Sequence, residues 1–228
     1  MQLIGKFFKG INYLFGAQLL KNKIAIGNSL NYLGRKRIID TNYFDYTRIA
    51  TLELISYEIA KKQLSGSVAE LGVYKGKFAR YINQYFFDRK LFLFDTFEGF
   101  DGRDITIEKK KSYSGGNQDF SYTSTDTVKK IMPFPENCIF KKGYFPETAI
   151  AITDDFVFVS IDTDLFEPIY AGLNFFYPKL VKGGYIFVHD FNNDNYLGAR
   201  EAVEKFCKEN GINFLPIPDS GGSVIICK

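Results

Sequence analysis

The sequence predicts an α/β fold: a Rossmann-like, doubly wound sheet of seven strands, mostly parallel with an antiparallel last strand, preceded by extra N-terminal helices. Three observations carry this. Short apolar runs alternate with segments of helical period, the pattern of strand–helix–strand units with helices on both faces of one sheet. The run FVFVSID is apolar almost throughout, as a strand covered on both faces must be. The last two runs, INFLPIP and SVIICK, are joined only by the turn PDSGG, and so short a connection cannot make a parallel crossover.

In chain order, residues 1–45 form a mixed polar-aromatic lead-in to a domain over 46–228. The opening stretch MQLIGKFFKGINYLFGAQLL is amphipathic and interrupted by Lys and Gly. It reads as a packing or lid helix, with an interfacial or oligomer-contact helix as the alternative, which makes a homodimer admissible. From Asp45 to about Lys62, Ile49, Leu52, Leu54, Ile55 and Ile59 recur at helical spacing, so a helix is expected there, ended near Gly66. SVAELGV is the first strand, KFARYINQYF a helix and LFLFD the second strand. The polar segment from Thr96 to about Tyr122 is too long for a plain connection, which marks it as functional or disordered. A helix is expected from Ser124–Asp126 through VKKIM, stopped by Pro133. CIFKKGYF is a third strand and FVFVSID a fourth. The helix PIYAGLNFFYPKL tolerates Pro168 in its first turn. Gly183-Gly184 breaks the chain before the fifth strand, YIFVHD. GAREAVEKFCKENG is an amphipathic helix ended by glycine.

The 228 residues suffice for one domain with one sizeable core, and 46% are hydrophobic. The 24 Phe and 15 Tyr serve mainly that core, and some suit a pocket for flat rings or sugars. A net charge of +3 is too weak to suggest nucleic acid. The run Lys109-Lys110-Lys111 reads as a solvated loop. Three scattered cysteines without a CxxC pair suggest neither a disulfide framework nor a zinc site, so a reducing cytoplasm is the simplest compartment. No apolar run reaches the roughly 20 residues of a membrane span, and the start lacks the apolar stretch and cleavage site of a signal peptide.

Ligands of open α/β sheets bind beyond the carboxyl ends of the strands, so those ends carry the chemistry. The first gives Glu70-Leu71-Gly72-Val73-Tyr74-Lys75-Gly76. Its ExGxxxG spacing is not the phosphate-cradling GxGxxG pattern. Glycines there admit a close backbone approach, and the acid suits a cationic ligand such as S-adenosylmethionine, which carries an ammonium and a sulfonium and no phosphate. Asp95 ends the second strand, where an acid can accept both ribose hydroxyls. The fourth strand ends in Asp162-Thr163-Asp164 and the fifth in His189-Asp190. Such oxygen-rich ends suit Mg²⁺, Mn²⁺ or Ca²⁺. His189, the one histidine of the chain, can serve as metal ligand, general base or hydrogen-bonding residue at a strand end.

Together VAELGVYKGKFA, LFLFDTFEGF, KKGYFPET, SIDTDLFEPIYAGLNFFYPKLVKGGYIFVHDF and GAREAVEKF resemble the TylF/MycF family of macrocin-type sugar O-methyltransferases, over roughly residues 45–228. The resemblance implies a class I enzyme dependent on S-adenosylmethionine and usually on Mg²⁺. It implies cofactor contacts from Glu70, Gly72, Tyr74 and Asp95, with Gly76, Thr96 and Asp162 as further cofactor-binding candidates, and metal contacts from Asp162, Asp190 and the adjoining His189, the same three being the catalytic candidates. Relatives commonly carry two adjacent acids where this chain has His189-Asp190. The segment after Thr96 falls where the family's substrate-covering loop lies. The expected function is methylation of a sugar hydroxyl on a surface glycan or glycosylated metabolite. The alternatives are a catechol-type or other small-molecule acceptor, or a non-catalytic cofactor-binding subunit.

Overall fold

The computed structural model of the chain describes residues 2–22, 30, 33 and 45–228. They fall into two units, Met1–Ile38 and Ile39–Lys228. The first contains the expected helix, α1 (Gln2–Lys21), on which Phe7, Tyr13, Leu14, Phe15 and Leu20 are exposed. Of the rest of the lead-in, only residues 22, 30, 33 and 45 are described.

The second unit is built on seven strands: β1 (Ser67–Leu71), β2 (Leu91–Asp95), β3 (Cys138–Lys142), β4 (Phe156–Ile161), β5 (Leu180–Val188), β6 (Phe214–Pro216) and β7 (Val224–Cys227). They form one sheet in the order β3-β2-β1-β4-β5-β7-β6. Neighbouring strands from β3 to β5 run parallel, and β7 is antiparallel to both β5 and β6. The turn between the last two strands thus does what its length dictates. Strand order reverses between β1 and β4, which opens the crevice where ligands of such sheets bind.

The helices are α2 (Tyr46–Lys61), α3 (Lys77–Tyr85), α4 (Gly102–Lys111), α5 (Thr125–Ile131), α6 (Phe166–Lys179) and α7 (Leu197–Asn210). Strand side chains alternate between two buried layers. Phe92 and Phe94 of β2 pack with Phe176 of α6 and Phe206 of α7, whereas Leu91 and Leu93 pack with Ile59 of α2 and Ile82 of α3. Each such side chain contributes roughly 1.5–3 kcal/mol by leaving water.

Three local expectations are corrected. β5 does not wait for Gly183-Gly184; it starts at Leu180. Phe156 pairs with Leu180 and Phe158 with Tyr185, so two steps along β4 face five along β5. The extra residues bulge out, with Gly183 in a left-handed conformation at φ 87°. The third strand stops at Lys142, because the chain turns at Gly143 (φ 132°) toward the cleft. Finally, the segment after Thr96 contains α4. Asp101 caps it by accepting from the Arg103 N–H at 2.9 Å, and Lys109-Lys110-Lys111 form its last turn, where cations suit the helix dipole. Its hidden face carries Asp104 and Glu108 instead of apolar residues, so it has no hydrophobic period to detect.

Candidate functional site

The carboxyl ends of β1, β2, β4 and β5 and the turn after β3 enclose a cleft of about 330 Å³. Its lining includes Glu70, Gly72, Tyr74, Asp95, Thr96, Asp162, His189 and Asp190. Residues far apart in sequence thus meet because each ends a neighbouring strand. Gly76 is not part of the lining. It caps the start of α3 at φ 71°, where a Cβ would lie 2.7 Å from Val128 Cγ1. At Gly72 the space a Cβ would need is filled by the Asp162 carbonyl, 2.0 Å away, so this glycine lets the β1 turn lie against the end of β4.

Asp95 organises the first turn. One of its carboxylate oxygens accepts from the Val73 and Tyr74 N–H groups at 2.7 and 2.8 Å, and the other from Phe97 at 2.6 Å. The left-handed Tyr74, at φ 47°, is held by this arrangement. Thr96 serves its own loop: its hydroxyl donates to the Gly99 carbonyl at 2.6 Å. Glu70 is 1% exposed and lines the cleft, and its Oε2 has no hydrogen-bond partner among the described residues. Burial drives its pKa well above the usual carboxyl value, only partly offset by the charge of Arg48.

Arg48 is the residue that sequence reasoning missed. Helical period places it on α2, and arginine there reads as a surface residue. It is instead 3% exposed. Its guanidinium donates to Asp162 Oδ2 at 2.9 Å and to Ser160 Oγ at 3.1 Å, and lies 3.8 Å over the Phe78 ring. His189 closes the other side: its Nδ1 is 2.6 Å from Asp190 Oδ2 and 3.2 Å from Asp162 Oδ1. Asn193 donates to the remaining Asp190 oxygen at 2.7 Å. Burial opposes the imidazolium, but the Asp162 charge and hydrogen bonds to Asp162 and Asp190 outweigh it and raise the His189 pKa to about 10. Asp162 is held below the usual carboxylate range: burial opposes this, but His189 and Arg48 prevail. In this arrangement the His189 ring is hydrogen-bonded to both carboxylates through Nδ1.

Asp164 also lines the cleft, with a pKa pushed well up, first by burial and then by Asp162 and Asp190. Asp164 and Asp190 both adopt left-handed backbone, at φ 62° and 58°. Such strain in non-glycine residues concentrates at functional sites. The turn PDSGG, legible only as a hairpin, packs on the site. A Cβ at Gly221 would lie 2.4 Å from His189 Cε1, and Ser220 is tied to Asp45, the cap of α2, at 2.7 Å.

Donor atoms of Asp162, His189 and Asp190 lie within 4.8 Å of one another, close enough for one ion to collect them; Asp45, His189 and Asp219 form a second such group. Along the cleft wall, Tyr74 and Phe120, and Phe120 and Phe100, stand edge to face with ring centres 5.0 Å apart.

The family model for macrocin O-methyltransferase (TylF) matches residues 34–218. The chain belongs to this family of O-methyltransferases. Its seven-stranded sheet is that of class I methyltransferases. Among solved structures, the O-methyltransferase NovP is similar over 80% of this chain and 79% of its own, at 21% identity and a TM-score of 0.66. The calicheamicin methyltransferase CalS11 is similar over 97% and 91%, at 17% identity and a TM-score of 0.64. A ligand-free structure of CalS11, described as a TDP-rhamnose 3'-O-methyltransferase, gives 0.52 at 17% identity. No curated protein sequence matches this methyltransferase significantly. Among the described residues, no helix is long and apolar enough to cross a membrane.

Proposed function

We propose that this family member transfers the methyl group of S-adenosylmethionine to a hydroxyl of a sugar-containing acceptor, assisted by a divalent ion. The observation that carries this reading is the meeting of Glu70, Asp95, Asp162 and Asp190 in one cleft, in a chain of the macrocin O-methyltransferase family. The acceptor class follows the family and the TDP-rhamnose activity named for CalS11.

The residues fit the cofactor. The orphaned Glu70 Oε2 is a buried acceptor that an ammonium donor would satisfy. Asp95 keeps lone pairs beyond its three backbone bonds for ribose hydroxyls. S-adenosylmethionine supplies an electrophilic methyl group, so that the reaction forms an O–CH₃ bond, breaks an S–CH₃ bond and leaves S-adenosylhomocysteine and a proton.

The carboxylates of Asp162 and Asp190 fit an ion by spacing and type and suit Mg²⁺ or Mn²⁺; His189 would join them as a donor only in its neutral form. Such an ion, when bound, lowers the pKa of the acceptor hydroxyl. Arg48 holds Asp162 in place, and Asn193 and His189 hold Asp190, so the carboxylates are oriented before the acceptor arrives. While His189 is a cation it orients the two carboxylates it faces and does not take the proton. Phe100, Phe120 and Tyr74 line the cleft as an aromatic wall, and the rate enhancement rests mainly on positioning.

The test is transfer of labelled methyl from S-adenosylmethionine to a panel of nucleotide sugars, TDP-rhamnose among them, glycosides and simple phenols such as catechol, with Mg²⁺, with Mn²⁺ and with EDTA. The reading expects a labelled sugar product and at least a tenfold loss in EDTA. Equal rates with and without EDTA would remove the ion. Labelling of phenolic acceptors only would replace the acceptor class.

A further inference from the structure

We propose that α1 is an in-plane anchor, whose apolar stripe docks on an anionic membrane surface and holds the chain there. This goes beyond the methyl-transfer reading and does not depend on it.

The charge of the chain is divided unevenly. Residues 1–39 carry seven Lys and Arg and no Asp or Glu. The whole chain carries +3, so residues 40–228 carry −4. A cationic lead-in thus precedes an acidic domain, and a total near zero hides both. Three of the cations, Lys6, Lys9 and Lys21, belong to α1, and Arg35-Lys36-Arg37 follow in the sequence.

Phe7, Ile11, Leu14 and Phe15 recur in α1 at i, i+4, i+7 and i+8, the period of one helix face. Phe7 is 66%, Leu14 72% and Phe15 59% exposed, and Tyr13, seven residues on from Lys6, is 90% exposed. Large apolar side chains left in water along one stripe mark an interaction surface. That surface is not a membrane span, since no helix among the described residues is long and apolar enough to cross one. A second copy fits less well: a symmetric contact sets the cations of one helix against those of the other, and the lead-in has no acid to pair with them. An anionic leaflet answers both features with one surface. Its interface takes up the Phe and Leu side chains, with Tyr at headgroup level. Its charge favours each Lys by about fivefold in partition, or about a hundredfold for the three of α1. A helix with the stripe alone would bind neutral and anionic lipid alike; this one should not.

The chain contains no Trp, so Leu14→Trp places a single fluorescent probe on the stripe. The full chain is mixed with vesicles of phosphatidylcholine, with and without phosphatidylglycerol. Trp emission should shift to the blue, and at least tenfold more chain should sediment, with the phosphatidylglycerol vesicles than with phosphatidylcholine alone. The difference should shrink as salt rises from about 0.1 M to about 1 M. The variant Phe7→Ser, Leu14→Ser, Phe15→Ser should lose vesicle binding at least tenfold while melting like wild type. Lys6→Gln with Lys21→Gln should lower the preference for anionic vesicles at least fivefold. A chain that binds neither kind of vesicle, or both equally, overturns the anchor, as does a folded triple Ser variant that binds like wild type. A blue shift without vesicles that grows with protein concentration, alongside a dimer in sedimentation, assigns the stripe to a second copy and overturns it too.

Discussion

Replacing Arg48 with Met removes a buried cation while keeping an apolar stem to lie on Phe78. Breaking a buried pair from one side costs about 3–5 kcal/mol, because the charge left behind is uncompensated. Two features move the expectation to the low end. Asp162 keeps 24% of its side-chain surface, and His189 remains 3.2 Å away as a second cation. Stacking on Phe78 adds roughly 1 kcal/mol, part of which Met recovers by packing. The expected loss is about 3 kcal/mol at pH 7, or roughly 6–12 °C in Tm for a domain of this size. Urea unfolding of wild type, R48M, D162N and the double variant measures it. In the R48M background, Asp162→Asn should cost at least about 2 kcal/mol less than in wild type, because the orphaned charge is then gone. Since the Asp162 pKa is depressed, the effect should be full above pH 4–5 and fade as pH falls through the folded value. A loss under about 1 kcal/mol, or strictly additive variants, would refute the picture of a charge-compensated acid cluster.

His189→Gln should behave oppositely with pH. The folded pKa, about 10, lies above the unfolded value, so the contribution of the imidazolium is complete below about pH 6.5 and is lost as pH rises through 10. In EDTA the variant should lose about 2 kcal/mol at pH 6 and clearly less at pH 10.5; an equal loss at both values would contradict the ion pairs. Glu108→Ala removes the carboxylate that accepts from the Phe166 N–H at 2.8 Å, at the start of α6, and from Ser114 at 2.7 Å. A cost of about 1–3 kcal/mol is expected in thermal or urea unfolding, and a wild-type melt would show that α4 is not pinned there.

How much of this could be read from the sequence depends on how each residue is hidden. The strands were legible because apolar runs and their connections obey simple length and period rules, down to the antiparallel β7. Glu70, Asp95, Asp162, His189 and Asp190 were legible because strand ends in this architecture share a cleft. Arg48 was not, since nothing in a helical period distinguishes an arginine that faces solvent from one buried against an acid 114 residues away. Helix α4 was missed for a related reason: Asp104 and Glu108 take the buried positions, and hydrogen-bonded carboxyls replace the apolar stripe. The glycines were legible as special, but not their reasons. Gly72 gives way to the Asp162 carbonyl and Gly76 to Val128, both neighbours that only the folded chain brings close.

The central claim is that the strand-end acids form one site for a sulfonium nucleoside. Calorimetry of S-adenosylhomocysteine with wild type and Asp95→Asn measures it most directly. The account predicts one-to-one binding by wild type and at least tenfold weaker binding by a variant that still melts cooperatively. Wild type that takes up no S-adenosylhomocysteine, or a folded Asp95→Asn protein that binds it as wild type does, would contradict it.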